Sequence, residues 1–206
     1  MGLEISIVFS IAFYSKCLHS DVVKLLREWD EYLSKALVAP PSLRNVLMWI
    51  EYTVNGIPWL VGSSLALVYS VSAQWSPLTQ HRLVVLNFGL LVDLCISGML
   101  KLSIQRPRPG YNINDQVFEA PVFDRFSFPS GHTSRAAMLT AICIRFFPKY
   151  CFATVGMTLL VGFSRVAMGR HYLSDVLAGF ALGYLEGLAA LSLPYSISAW
   201  VRKVLR

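Results

Sequence analysis

Two histidines, an aspartate and a small set of cations stand out in a chain that is otherwise apolar. Three polar clusters carry them. The first is Lys101-Leu-Ser-Ile-Gln-Arg-Pro-Arg-Pro109, where flanking prolines hold Arg108 extended. The second is Phe126-Ser-Phe-Pro-Ser-Gly-His132, directly before an apolar run that begins at Thr133. The third is Ser164-Arg165-Val-Ala-Met-Gly-Arg170-His171-Tyr-Leu-Ser-Asp175.

In the second cluster, Pro129 presets a turn, Gly131 lets a ligand approach the backbone, and Ser130 stands where it can cap the following helix. The free N–H groups and dipole of a helix start favour an anion, and His132 stands at that mouth. In the third cluster His171 and Asp175 are four apart, so on a helix they share a face. A carboxylate there can hold one ring nitrogen and leave the other free to react. Lys101, Arg108 and Arg165 supply fixed positive charge of the kind a phosphoryl group in flight needs on its equatorial oxygens. Two histidines suit a two-step transfer, one attacking phosphorus and the other protonating the leaving oxygen. Each cluster alone also has a bland reading: a basic headgroup anchor, an ordinary cap and turn, a helix-start histidine with a dipole-favoured aspartate.

The clusters must be positioned by membrane helices. Of 206 residues, 55% are hydrophobic and 15% charged, against about a quarter charged in soluble domains. Apolar runs predict spans over residues 56–73, 83–100, 133–147, 151–168 and 173–195, the third short for a bilayer. Residues 21–37 predict an amphipathic helix with Val22, Leu25, Leu26, Trp29, Leu33 and Leu37 on one face, lying in the membrane plane or, alternatively, packing on a soluble partner helix. Residues 3–14 read as a partial or interfacial membrane segment. The chain divides into an N-terminal segment (1–44), a membrane domain (45–196) and a basic tail (197–206). Counting spans puts all three clusters on one membrane face. Arg82, Arg145, Lys149, Arg202, Lys203 and Arg206 fall on the other, so the site is expected to face a lumen or the outside.

The net charge of +6 is read as positive-inside loops rather than as a nucleic-acid surface. Cys17, Cys95, Cys143 and Cys151 have no metal-ligand spacing and suggest no disulfide framework. No dense Asp/Glu/His/Cys set is present, so the cations would do a metal's work. Asp93, inside the second span, is read as hydrogen-bonded to a neighbouring helix.

With these residues in view, the chain resembles the type-2 phosphatidic acid phosphatase superfamily, which includes the lipid phosphate phosphatases. That signature reads Lys-x6-Arg-Pro, Pro-Ser-Gly-His and Ser-Arg-x5-His-x3-Asp. Here Lys101 to Arg108-Pro109, Pro129 to His132, and Ser164-Arg165 through His171 to Asp175 match it in order and spacing. The register selects Arg108 over Arg106. The resemblance implies an all-α bundle of the type shared with vanadium haloperoxidases. It implies His171 as nucleophile oriented by Asp175, and His132 as acid and then base. Lys101, Arg108, Ser130, Gly131 and Arg165 would bind phosphate, without metal or other cofactor. The phrases Gly56-Ile-Pro-Trp-Leu and Leu160-Val-Gly-Phe-Ser-Arg resemble the polyisoprenoid (presqualene) diphosphate phosphatase branch. For such a substrate, Arg106, Arg125, Arg135 or Arg170 is expected to meet a second phosphate. The implied partners are a lipid phosphate or diphosphate and the bilayer, with room for a homo-oligomer, in the endoplasmic reticulum or nuclear envelope. An inactive membrane scaffold would need a broken signature, and a transporter would leave the three clusters unexplained.

Overall fold

The computed structural model describes residues 21–113, 115 and 125–205. The expectation for residues 3–14 lies outside them. The described chain is helical: α1 (21–36), α2 (Arg44–Thr53), α3 (Gly56–Ser72), α4 (Pro77–Ile104), α5 (Gly131–Phe146), α6 (Cys151–Ala167), α7 (Leu173–Leu191) and α8 (Tyr195–Val204).

Helix ends follow local chemistry. The Asn55 side chain accepts the Ile57 N–H and separates α3 from α2. Ser76 accepts the Thr79 N–H and Pro77 occupies the first turn of α4. At 28 residues α4 runs about 42 Å, beyond the ~30 Å hydrocarbon layer, so its Lys101 end reaches the headgroup level. Gln105, with φ of 50°, closes α4 and turns the chain across the end of the bundle.

Among the described residues, four stretches are long and apolar enough to cross a membrane: Pro41–Ser72, Pro77–Ile104, Pro148–Ala167 and Leu173–Leu191. The fifth expected span, α5, has 16 residues and reaches about 24 Å. It can be short and polar because protein, not lipid, surrounds it: α4, α6 and α7 pack around it. Its buried Arg135 meets Asp93 of α4 at 2.7 Å and donates to the Val54 carbonyl at 3.0 Å. Ser134 donates to Glu186 of α7 at 2.8 Å. Asp93 therefore ties helices together, as its sequence position suggested. Beside this polar layer, Val85, Leu90, Met138, Ile142 and Ala190 form an apolar core.

Two differences from the sequence expectation concern the C-terminal end. The last span stops at Leu191 rather than Tyr195. The basic tail belongs instead to a ten-residue helix, α8, whose Ser198 hydroxyl lies 2.7 Å from His81 Nδ1 of α4. At the other end, α1 turns its apolar residues outward: Leu25, Leu26, Trp29 and Leu33 are exposed, while Ser34 is buried. That inverted pattern fits a helix lying against lipid.

Candidate active site

The three clusters meet at one end of the bundle, joined by backbone as much as by side chains. Pro107 and Phe126 form an antiparallel bridge, and the Ser127 N–H donates to the Arg106 carbonyl at 2.9 Å. This joins the first cluster to the second. The Ser130 N–H donates to the Asp175 carbonyl at 3.1 Å, joining the second to the third. Arg106 closes the circle with Asp175 Oδ1 at 2.7 Å.

His171 is placed by a tight turn after α6. Gly169 has φ of 70°, a conformation that favours glycine, and the Arg170 and His171 N–H groups return to the Arg165 carbonyl. The imidazole is buried, and its Nδ1 lies 2.7 Å from the Ser127 carbonyl. A carbonyl can only accept, so Nδ1 carries the hydrogen and Nε2 presents its lone pair. Desolvation, then the charges of Arg165, Arg108 and Lys101, hold this imidazole well below its usual pKa despite the Ser127 carbonyl. It is neutral at pH 7.

Asp175 was expected to hold that ring nitrogen directly. Its Oδ2 is instead 3.7 Å from Nδ1, beyond hydrogen-bond contact, and accepts the Tyr172 N–H at 3.0 Å. Helix geometry explains this: Asp175 is in the first turn of α7, where its carboxylate is drawn to the free N–H groups of its own helix start. Arg106 takes the other oxygen and stacks over Tyr172 at 4.0 Å. Arg106 is thus a support for the aspartate. Arg108 reaches the turn from the other side, with Nη1 3.5 Å from the Arg170 carbonyl.

Ser130 is the N-cap residue of α5 by position, but its side chain caps nothing. Its hydroxyl pairs with Thr133 Oγ1 at 2.9 Å. A Cβ added at Gly131 would meet no atom within 4 Å, so the side toward which it points is open. Lys101 and Arg165 are buried, and the charge of each falls on both His132 and His171. Of the four arginines expected near a second phosphate, Arg106 is bound to Asp175 and Asp30, Arg135 to Asp93 in the polar layer, and Arg125 is exposed. Arg170 is buried beside Arg165, sharing a carboxylate with it.

That carboxylate is Glu51 of α2, which the sequence reading missed. Its Oε1 is 2.6 Å from Arg165 Nη1, its Oε2 is 3.0 Å from Arg170 Nη2, and Oε1 is 3.8 Å from His132 Nε2. A lone acid fifty residues before the first cluster offers no spacing signal. Asp30 of α1 was missed for the same reason. It accepts the Ser174 N–H at 3.0 Å and meets Arg106 at 2.8 Å. Ser34 accepts the Leu173 N–H at 2.8 Å, so α1 caps the start of α7.

Known proteins resemble this chain over the same region. A family profile described as "PAP2 superfamily" matches residues 82–197. A probable lipid phosphate phosphatase beta of Arabidopsis thaliana is 35% identical over 59% of this chain and 70% of its own length. Phosphatidylglycerophosphatase B of Bacillus subtilis is 31% identical over 90% of this chain and 91% of its own. A crystal structure of a transmembrane PAP2-type phosphatidylglycerolphosphate phosphatase from Bacillus subtilis superposes with a TM-score of 0.61 at 30% identity, covering 81% of this chain and 85% of that one.

Proposed function

The chain belongs to the PAP2 superfamily, an integral-membrane family of phosphate-ester hydrolases, and from that premise we propose that it dephosphorylates polyisoprenoid diphosphates and monophosphates through a phosphohistidine. The observation that carries the chemistry is the 2.7 Å contact between His171 Nδ1 and the Ser127 carbonyl, which leaves Nε2 unprotonated and nucleophilic.

In the first step Nε2 of His171 attacks phosphorus and the phosphorus–oxygen bond to the leaving group breaks. His132 gives its proton to that oxygen, which departs as an alcohol or, from a diphosphate, as a lipid monophosphate. Lys101, Arg108 and Arg165 neutralise the equatorial oxygens, with Ser130 and the Gly131 amide at the helix mouth. The carboxylate of Asp175 stabilises the positive charge that grows on the attacking ring. In the second step His132 removes a proton from water, the oxygen attacks the phosphohistidine, and inorganic phosphate and neutral His171 are released.

A lipid tail has a place to lie. An apolar cavity of about 660 Å³ runs between α3, α4, α5 and α6, lined by Val54, Ala136 and Val161 near the site and by Arg82, Phe146 and Phe147 at the far end. The polyisoprenoid preference rests on the sequence likeness to that branch and on Arg170 beside the phosphate cations. A glycerolipid phosphate is the second reading, supported by the names of the relatives. Phosphate release in detergent with EDTA decides between them. The panel is farnesyl, geranylgeranyl and presqualene diphosphates against phosphatidate, lysophosphatidate and sphingosine phosphate. The isoprenoid reading requires the first three to have the higher kcat/KM, with turnover retained in EDTA. Residence in the endoplasmic reticulum or nuclear envelope belongs to the same proposal and is read from the location of a tagged chain.

A further inference from the structure

Glu51 stands where the proposed reaction needs a phosphoryl group. One oxygen lies between the Arg165 guanidinium and His132 Nε2, at 2.6 and 3.8 Å, and the other reaches Arg170 at 3.0 Å. All three basic partners belong to the signature region, whereas Glu51 comes from α2, outside it. The glutamate is 6% exposed and both arginines 1%, so this is a buried arrangement and not a mobile surface pair. Arg170 has a further acidic neighbour, Asp115, at 3.2 Å, which is partly exposed and also held by Arg44 at 2.6 Å.

A carboxylate has the charge and the two-oxygen spread of a phosphodiester. Its exchange for a phosphodiester headgroup replaces one monoanion by another on the same cations, with no electrostatic gain and with a buried ion pair broken. A terminal phosphate that is doubly charged does gain, because its second charge acts on Arg165 and Lys101 together in a desolvated site. The difference matters in a bilayer, where phosphodiester headgroups surround the enzyme at high concentration and differ from the substrate chiefly in that charge. Specificity of this kind requires an element that costs the wrong ligand as well as contacts that favour the right one.

We propose that Glu51 is a specificity-determining residue, an internal competing anion that yields to a dianionic terminal phosphate and turns away phosphodiesters. This rests on the phosphatase reading above. When the phosphate takes Arg165, the second carboxylate oxygen still has Arg170 as its partner, so the glutamate is not left without a cation.

The test uses calorimetric binding of two small probes to the full chain in detergent at pH 8: inorganic phosphate, a dianion there, and dimethyl phosphate, a monoanion. In Glu51→Gln the dimethyl phosphate constant should tighten roughly tenfold or more and the phosphate constant by less, so that their ratio falls. Glu51→Asp keeps the charge on an arm one methylene shorter, too short to serve both arginines. It should shift the ratio in the same direction by a smaller factor, and it stands in if the glutamine variant does not fold. A variant that retains its melting transition with an unchanged ratio overturns the proposal, as does equal weakening of both probes, the outcome of a purely structural ion pair. Lipid phosphate hydrolysis by the unaltered chain is measured alongside. Its absence sinks the phosphatase reading, whereas an unchanged probe ratio with hydrolysis intact sinks only the role of Glu51.

Discussion

At the scale of single residues, the tautomer of His171 is set by a backbone carbonyl and the charge beside it by Asp175, two separate devices. His171→Ala should therefore abolish phosphate release and the acid-labile phosphohistidine, both scored with labelled substrate. Turnover surviving the change would remove the nucleophile assignment. Asp175→Asn leaves the Ser127 contact in place but withdraws the negative charge. It should lower kcat by roughly 10²-fold or more with KM little changed, since the phosphate cations are untouched. The depressed pKa of His171 gives a third expectation. Because the folded imidazole stays neutral below its usual value of 6.5, its acylation by diethylpyrocarbonate, followed by peptide mapping, should persist at pH values where a free imidazole is already protonated. The linkage has a matching sign: the unfolded chain binds this proton more readily, so His171 favours the fold above pH ~6.5 and that contribution is lost as pH falls below it. That the signature residues would meet at one end of the bundle was legible from their spacing. Their partners were not, for physical reasons. A main-chain carbonyl leaves no mark in sequence, and Glu51 and Asp30 act from helices remote along the chain.

The elements that hold these residues meet through small side chains. Gly179, Gly183 and Gly187 recur every four residues on one face of α7, and that face lies on the backbone of α5. A Cβ at Gly183 would overlap the Ser134 carbonyl oxygen, and one at Gly179 would lie 2.8 Å from the Ser130 carbonyl. This close approach brings the start of α7, with Asp175, against the start of α5, with His132. Gly183→Ala should therefore cost about 1–3 kcal/mol by overpacking, read as a lower melting temperature, and should cut kcat by spreading the two histidines. Asp30→Ala removes a cap supplied to α7 by α1 and should cost about 1 kcal/mol. It should also lower kcat, because Arg106 loses one of the two carboxylates that fix it beside Asp175. Retained stability and activity in that variant would mean that α1 lies on the bundle without supporting it. Hydropathy located α3, α6 and α7 closely but cut α4 short at both ends, because its polar first turn and its Lys101 end lie outside the apolar run. It gave α5 as a fifth span; α5 falls short of the length and apolarity of the other four because protein encloses it. The glycine spacing in α7 was available in the sequence, but its meaning depends on which helix it faces.

At the scale of the whole molecule, the apolar cavity begins one helical turn from the polar site, at Ala136 beyond His132 and at Val161 before Arg165. Glu51 lies in the last turn of α2, and Val54, which caps that helix end, lines the cavity. Ala136 to Phe146 of α5 line it over about 15 Å, so the tail of a substrate held at His132 and His171 can extend deep between the helices. Met157 lines the middle of this cavity and is partly open to lipid, so a larger side chain there does not disturb the packed core. Met157→Trp should leave kcat/KM for a short-tailed substrate such as geranyl diphosphate nearly unchanged. For geranylgeranyl diphosphate it should lower kcat/KM several-fold, because filling the cavity removes apolar contact at about 25 cal/mol per Å². The effect belongs in KM rather than kcat, since the tail is bound equally in the ground and transition states. A uniform loss across tail lengths would place the tail outside this cavity, along the lipid-facing surface of the bundle.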